Sequence, residues 1–550
     1  MTRLMWFGSI GLSVLGQGPD RRAADPEPKA IDAVFAKYDH TDTPGCAVGV
    51  FRDGQTVFGR GYGMADLNQG VPITTNTVFY IASTSKQFTA MSTALLAEQG
   101  TISLDDPVRK WIPELSSVAD RVTVRHLVHH TSGIRDYLGL WGLSGRGFAD
   151  EIPAEVGLDL IVRQKALDFE PGSRYSYSNS GYLLQSEIVK RASGLSLRQF
   201  AESKIFGPLG MTATQFHDNN AEIVGRRAEG YEPLPSGGFQ IVRTSFALVG
   251  DGGLLTTIAD LAKWDENFYH NRLGTRGAAL IDQVTTPGRF NSGEPQTYAF
   301  GLVKGEYRGQ PVIQHGGSFI GFRAQLLRFP SQHFSVAVLC NDYTAQPERM
   351  AEQVADLYLA DRLAPIAAAS GEVGGPVVAA DRLDRWVGRY EIRPGTVGQI
   401  TRTGSALSLK AFGELLPLTA IDDSTFSAPM LDRVGFRSTP TGPALWSVAT
   451  GPSEAAPRLG PEPKYSTVDL QSYAGRYASD ELDTWAVVEA RGDTLRARTR
   501  WGPWVALEPI QKDRFSAAGA RVQFDRNRAD RVTGYRVSAA RTQNIIFVRR

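Results

Sequence analysis

Residues 79–90 read "FYIASTSKQFTA", with one lysine, Lys86, among small and apolar neighbours and three positions after Ser83. A solvent-facing helix would carry several charges here. This stretch carries a single cation and runs on as "MSTALLAEQG", with Phe88, Met91, Leu95 and Leu96 at helical spacing and Gly100 as a stop. The pattern predicts a helix over about 84–99, with positions 83 and 86 on one face. A serine hydroxyl is a weak nucleophile until a base takes its proton. A lysine in apolar surroundings has its charged form disfavoured, so its pKa falls toward the range of such a base. A helix N-terminus adds N–H groups that favour developing negative charge. Ser-x-x-Lys is a short pattern, yet no other lysine in the chain has a serine three residues before it.

Two further stretches carry chemistry. "EPGSRYSYSNSGYLL" contains Tyr177-Ser178-Asn179 in a Pro-Gly turn that leads into an apolar helix. A phenol there can share a proton relay, and an amide can orient the lysine or a substrate carbonyl. Tyr-x-Asn by itself says little, since it recurs at Tyr269–Asn271 near the end of an amphipathic helix. "VIQHGGSF" places His315, Gly316, Gly317 and Ser318 on a strand edge. The two glycines clear side chains where a substrate backbone could lie, the Ser318 N–H can serve an oxyanion, and His315 can hold a proton or polarise the tyrosine.

Ser83-x-x-Lys86, Tyr177-x-Asn179 and His315-Gly316-Gly317, in this order and at these separations, resemble the serine β-lactamase and penicillin-binding-protein superfamily, in its class C-like branch of D-aminopeptidases, D,D-peptidases and esterases. "PGCAVGVFRDG", "LVHHTSGI" (127–134), "GDGGLLTTIADLAKW" (250–264) and "YAFGL" (298–302) support it, and the likeness spans about 28–362. It implies an acyl-enzyme mechanism with Ser83 as nucleophile, Lys86 and Tyr177 as proton carriers, Asn179 as positioning group, and the N–H groups of Ser83 and Ser318 as oxyanion hole. His315 stands where β-lactamases of the superfamily usually carry lysine. A histidine is mostly neutral near pH 7 and suits a substrate carboxylate less. His-x-Gly resembles the D-aminopeptidases and some esterases. Those D-aminopeptidases carry two β-barrels after the catalytic domain, and a loop from them shapes specificity. The expected activity is hydrolysis of an amide or ester, with a small peptide or amide, D-residue included, as substrate. The alternatives are a β-lactamase, a D-Ala-D-Ala carboxypeptidase or an esterase, or a penicillin-binding sensor or wall-binding protein with little turnover.

The rest of the chain sets the frame. With 550 residues, 42% hydrophobic and 21% charged, it is expected to hold several globular domains. A net charge of +1 gives no reason to expect nucleic acid as a partner. Arg3 followed by "LMWFGSIGLSVLG" reads as an export signal over 1–18, too short to span a bilayer, so a periplasmic or extracellular protein without stable membrane insertion is expected. The two cysteines, Cys46 and Cys340, are consistent with either a disulfide or two buried thiols. His126 and His130 are four apart but lack a His-Glu-x-x-His pattern and a third ligand. "GDGGLL" lacks the Lys-Ser/Thr of a phosphate loop, and there is no Gly-x-Ser-x-Gly elbow. No metal or cofactor is expected.

Residues 28–362 read as one α+β unit: an antiparallel sheet built from strands at both ends, flanked by helices, with the resemblance adding a helical subdomain. "APIAAASGEVGGPVVAAD" (364–381) reads as a linker. Beyond it the sequence repeats. "LDRWVGRY" at Leu383 matches "LQSYAGRY" at Leu470, an offset of 87, and "FSA" at Phe426 matches "FSA" at Phe515, an offset of 89. Two tandem β-barrel-like domains are predicted, 381–450 and 467–550, joined by "GPSEAAPRLGPEPKYS".

Overall fold

The computed structural model describes residues 25–147, 153–365, 376, 378–428, 431–447 and 455–550. The expected export signal at 1–18 lies outside the described residues, as do 366–375 and 377 of the glycine-rich linker.

A hairpin at "FRDGQ" joins β1 (Cys46–Arg52) to β2 (Gln55–Tyr62). Asp53 and Gly54 both take positive φ, 49° and 75°, as the tight turn between twisted strands requires. The rest of the sheet comes from much later in the chain: β3 (Val303–Tyr307), β4 (Gln310–Phe319), β5 (Phe322–Phe329) and β6 (Phe334–Cys340). The order is β3-β4-β5-β6-β1-β2, antiparallel throughout. Pairing of β6 with β1 sets Cys340 opposite Cys46, and the two form a disulfide. The alternative of free thiols is thereby set aside.

Every residue of β6 is buried, because both faces of the sheet are covered. Val336 and Val338 pack under α1 (Pro28–Phe35) and α6 (Pro347–Tyr358). Ala337 and Leu339 face the opposite core, which contains α2 (Lys86–Glu98), α4 (Asn179–Ser193) and α5 (Ile258–Glu266). The helix predicted over 84–99 begins at Lys86. Ala82–Ser85 form a separate 3₁₀ turn, entered through Ala82 at φ 46°. α2 is buried on every face from Lys86 to Leu96. Its polar residues are accommodated by internal hydrogen bonds: Thr89 Oγ1 donates to Gly250 O (2.7 Å) and Ser92 Oγ to Phe88 O (2.9 Å).

Two closed eight-stranded antiparallel barrels follow. Their repeat is a repeat of core geometry. Tyr390 Oη donates to Trp386 O (2.9 Å) and Tyr477 Oη to Tyr473 O (2.6 Å), each phenol buried one turn beyond its acceptor. Gly388 and Gly475, two residues before these tyrosines, sit at φ 151° and 159°. The first barrel ends later than the sequence predicts. Its closing strand, Ala456–Leu459, pairs with Gly442–Ser447 and Gly388–Arg393 inside the stretch read as a connection. That strand has four residues, contains Pro457 and shows no alternation of buried and exposed positions, so it carries no strand signature.

The second barrel docks on the α+β unit, and its apolar interior is continuous with that unit's core. Arg135 is the centre of the contact. It donates to Asp168 (3.1 Å) on its own unit and to Glu481 (2.8 Å) on the barrel, all three side chains at most 7% exposed. Gln543 N–H donates to Asp168 (3.0 Å) and Lys165 N–H to Glu481 (2.9 Å).

Candidate active site

The 3₁₀ turn, α2 and α4 place the residues of two predicted motifs within bonding distance. Lys86 Nζ lies 3.1 Å from Ser83 Oγ and donates to Asn179 Oδ1 (2.9 Å) and to the Asp251 carbonyl oxygen (2.6 Å). Lys86 is fully buried. Burial pulls its pKa well below the usual lysine range, with Asp251 and Asp136 opposing and Arg541 adding to the fall. A neutral amine spends two N–H groups on Asn179 and Asp251 and turns its lone pair to Ser83, the arrangement of a general base.

Tyr177 completes this side. Its ring lies 4.8 Å from Lys86 Nζ. Its hydroxyl is buried without a hydrogen-bond partner of good geometry in the resting state. Burial pushes the phenol's pKa well above its ordinary value, with the Ser83 hydroxyl and Arg541 opposing. The ring packs on His130 at 4.2 Å between centroids, and His130 Nδ1 accepts the Ser178 N–H (3.1 Å). His130, weighed above as half of a metal pair, therefore braces the Tyr177 turn.

The glycine-edged strand forms the opposite wall. β3 pairs with β4 only as far as Gln314, so 315–319 present an open edge on that side. Gly317 has a role beyond that read from the sequence. A Cβ there would sit 2.1 Å from the Ile81 carbonyl oxygen and 3.0 Å from Thr84 Oγ1, so its absence lets β4 press against the turn that carries Ser83. At Gly316 the nearest obstacle is the side-chain oxygen of Gln325, at 2.8 Å, with the backbone no closer than 3.5 Å. Gly317→Ala is accordingly expected to lower kcat/KM by about 10²-fold through displacement of Ser83, while Gly316→Ala costs only a few-fold. Steady-state kinetics on both variants checks this.

His315 points into the wall. Its Nδ1 faces Gly316 O (2.6 Å), which only an N–H can satisfy, so Nε2 accepts from Tyr298 Oη (3.0 Å). Burial pulls its pKa down to about 4, with Lys86 adding, and the ring is neutral near pH 7. It touches Tyr298 and makes no hydrogen bond to Tyr177.

A cavity of about 810 Å³ opens over these groups, lined by Ser83, Tyr177, Asn179, His315, Ser318 and Arg541 among others. Several site residues were not singled out in the sequence. Asp136 caps α3 (Tyr137–Leu143) and accepts both the Asn179 N–H and its Nδ2 at 2.9 Å. Tyr137 Oη donates to Asp251 (3.1 Å), whose carboxyl is pushed up in pKa by burial, with Lys86 opposing. Asp136 precedes the apolar run "YLGLWGL", which is a legible cap. Asp251 and Tyr298 lie in stretches quoted above for their resemblance, without a role. Arg541 has no local signal. It stands on a hairpin tip between Val532–Ala539 and Thr542–Arg549 of the second barrel, which reaches the cavity as the resemblance implies.

A family model described as Beta-lactamase matches residues 31–360. A D-aminopeptidase of Cereibacter sphaeroides is 30% identical over 482 residues, covering 86% of this chain and 87% of its own length. Penicillin-binding protein 4* of Bacillus subtilis is 27% identical over 381 residues, covering 66% of this chain and 82% of its own. The octameric penicillin-binding protein homologue from Pyrococcus abyssi shares the fold, with a TM-score of 0.56 at 22% identity over 85% of this chain and 97% of that one.

Proposed function

Because this chain belongs to the Beta-lactamase family and is a serine hydrolase acting on amides or peptides, we propose that it cleaves small peptides or amides whose acyl residue has the D configuration. The observation that carries the mechanism is the placement of Lys86 Nζ between Ser83 Oγ, Asn179 Oδ1 and Asp251 O at 3.1, 2.9 and 2.6 Å. Ser83 Oγ bonds to the acyl carbon as its proton passes to Lys86. The N–H groups of Ser83 and Ser318 take the oxyanion. The bond to the leaving amine breaks as Tyr177 delivers a proton to it and takes one in turn from protonated Lys86. Water then repeats the sequence in reverse and frees Ser83.

The D-aminopeptidase relative, matched over 86% of this chain, supports the substrate class. Neutral His315 supports it too, since a β-lactam or a C-terminal D-Ala would find no fixed cation at that position. D-Ala-p-nitroanilide, L-Ala-p-nitroanilide, nitrocefin and p-nitrophenyl acetate, assayed side by side, test the reading. The expected result is D-anilide turnover at least ~10²-fold above the L-anilide, as a site built on oriented polar contacts permits. Turnover of nitrocefin alone overturns it.

Export from the cytoplasm belongs to the same proposal. The Cys46–Cys340 disulfide supports it, because such bonds persist in oxidising compartments. Cell fractionation checks it.

A further inference from the structure

We propose that Arg541, carried into the cavity by the second barrel, is a positioning residue of the catalytic relay: it braces the Asp136–Asn179 pair against Lys86 and fixes a positive charge over Tyr177. The inference rests on the serine acyl-enzyme reading above.

The hairpin tip is locked to one residue of the catalytic unit. Asp136 N–H donates to Arg541 O (3.2 Å), and Thr542 Oγ1 donates to Asp136 O (3.2 Å). The fit is close, since a Cβ at Gly139 would meet Thr542 Oγ1 at 2.4 Å. The guanidinium lies 3.7 Å from Asp136 Oδ2, the same oxygen that accepts both Asn179 donors. It also lies 5.2 Å from the centroid of the Tyr177 ring, within cation–π range. One barrel side chain thus touches the carboxylate that aims Asn179 and the phenol that carries the leaving-group proton.

Other charges around Lys86 show what Arg541 adds. The Asp251 carboxyl from the loop before α5 and Asp136 ahead of α3 both favour the protonated amine. His130 and His315 are held neutral by burial, and Tyr80, Tyr137, Tyr177, Tyr182 and Tyr298 have their pKa raised by it. Among the described residues Arg541 is the cation that opposes the two carboxylates at Lys86, and it opposes burial at Tyr175 and Tyr177. Lys86 and Asp251 titrate as a pair, so the acid limb of the rate profile belongs to both.

The sign follows. Loss of the positive charge stabilises protonated Lys86, so the base is lost at higher pH. In Arg541→Gln and the isosteric Arg541→Met, the acid limb of kcat/KM moves up by roughly half to one pH unit, a three- to tenfold loss on the acid side that shrinks on the alkaline plateau. Arg541→Lys keeps the limb at its wild-type position. The substrate is p-nitrophenyl acetate, whose neutrality removes any direct attraction to the guanidinium. A fluorophosphonate probe reads the nucleophilicity of Ser83, through its phosphonylation with loss of fluoride, at each pH in the full-length protein, and circular dichroism confirms the fold. The side chain is 42% exposed at a hairpin tip, where replacement leaves the barrel core untouched. An unmoved limb in both neutral variants overturns the inference, as does an equal loss in Arg541→Lys. Wild-type protein that the probe fails to label overturns the acyl-enzyme reading instead.

Discussion

Ser83→Ala is expected to abolish fluorophosphonate labelling and to lower kcat by roughly 10⁴–10⁶-fold, the scale seen when a nucleophile acting as part of a unit is removed. Lys86→Met is expected to fall nearly as far. The methionine keeps the volume of a fully buried side chain, so the loss reports the missing lone pair. It also leaves Asn179 Oδ1 and the Asp251 carbonyl oxygen without the donor they share. Effects within such a unit are not additive, so the double variant should be scarcely worse than either single one. Burst kinetics with p-nitrophenyl acetate and mass spectrometry of the labelled protein check both. A Lys86→Met enzyme acylating at the wild-type rate would remove Lys86 from the relay.

The second large effect is on stability. Arg135→Ala removes the cation between Asp168 and Glu481, each at most 7% exposed, and leaves two buried carboxylates facing one another across the docking surface. Breaking a buried pair in this way costs about 3–5 kcal/mol. The loss falls on the contact between the catalytic unit and the second barrel, so two separated unfolding transitions are expected where docking had coupled them. The pH dependence is directional. Burial raises the Asp168 carboxyl to about 6, with Arg135 and the Gln543 N–H opposing. The folded state therefore holds this proton to higher pH than the unfolded chain, and stability falls as pH rises from the unfolded carboxylate value of about 4 through 6. Without Arg135 the upper edge of that window climbs, so the variant should be weakest relative to wild type near pH 8 and partly restored near pH 5. Differential scanning calorimetry at the two pH values checks this.

Ser83, Lys86, Tyr177, Asn179 and His315 are legible in the sequence because each sits in a short motif whose spacing is itself the chemistry. What the motifs leave out is everything held from a distance. Asp136 aims Asn179 from 43 residues away, and Thr542 reaches Asp136 across 406. No local pattern encodes such a pairing. Gly317 shows a related limit. A glycine on a strand edge reads as room for a substrate, whereas here it makes room for the backbone that carries the nucleophile. In the barrels, the repeat was legible through glycines and buried tyrosines that every copy of the fold needs, but the strand Ala456–Leu459 was not, because four residues without alternation resemble a connection.

The order of synthesis gives the hairpin tip a temporal meaning. A ribosome completes Ser83, Lys86 and Asn179 hundreds of residues before Arg541 and Thr542 emerge, and domains fold as they appear. The growing polypeptide thus holds an assembled nucleophile whose supporting carboxylate still lacks its clasp. The full rate at acid pH arrives last, and a protease that trims the second barrel would lower it there without touching the residues that perform the reaction.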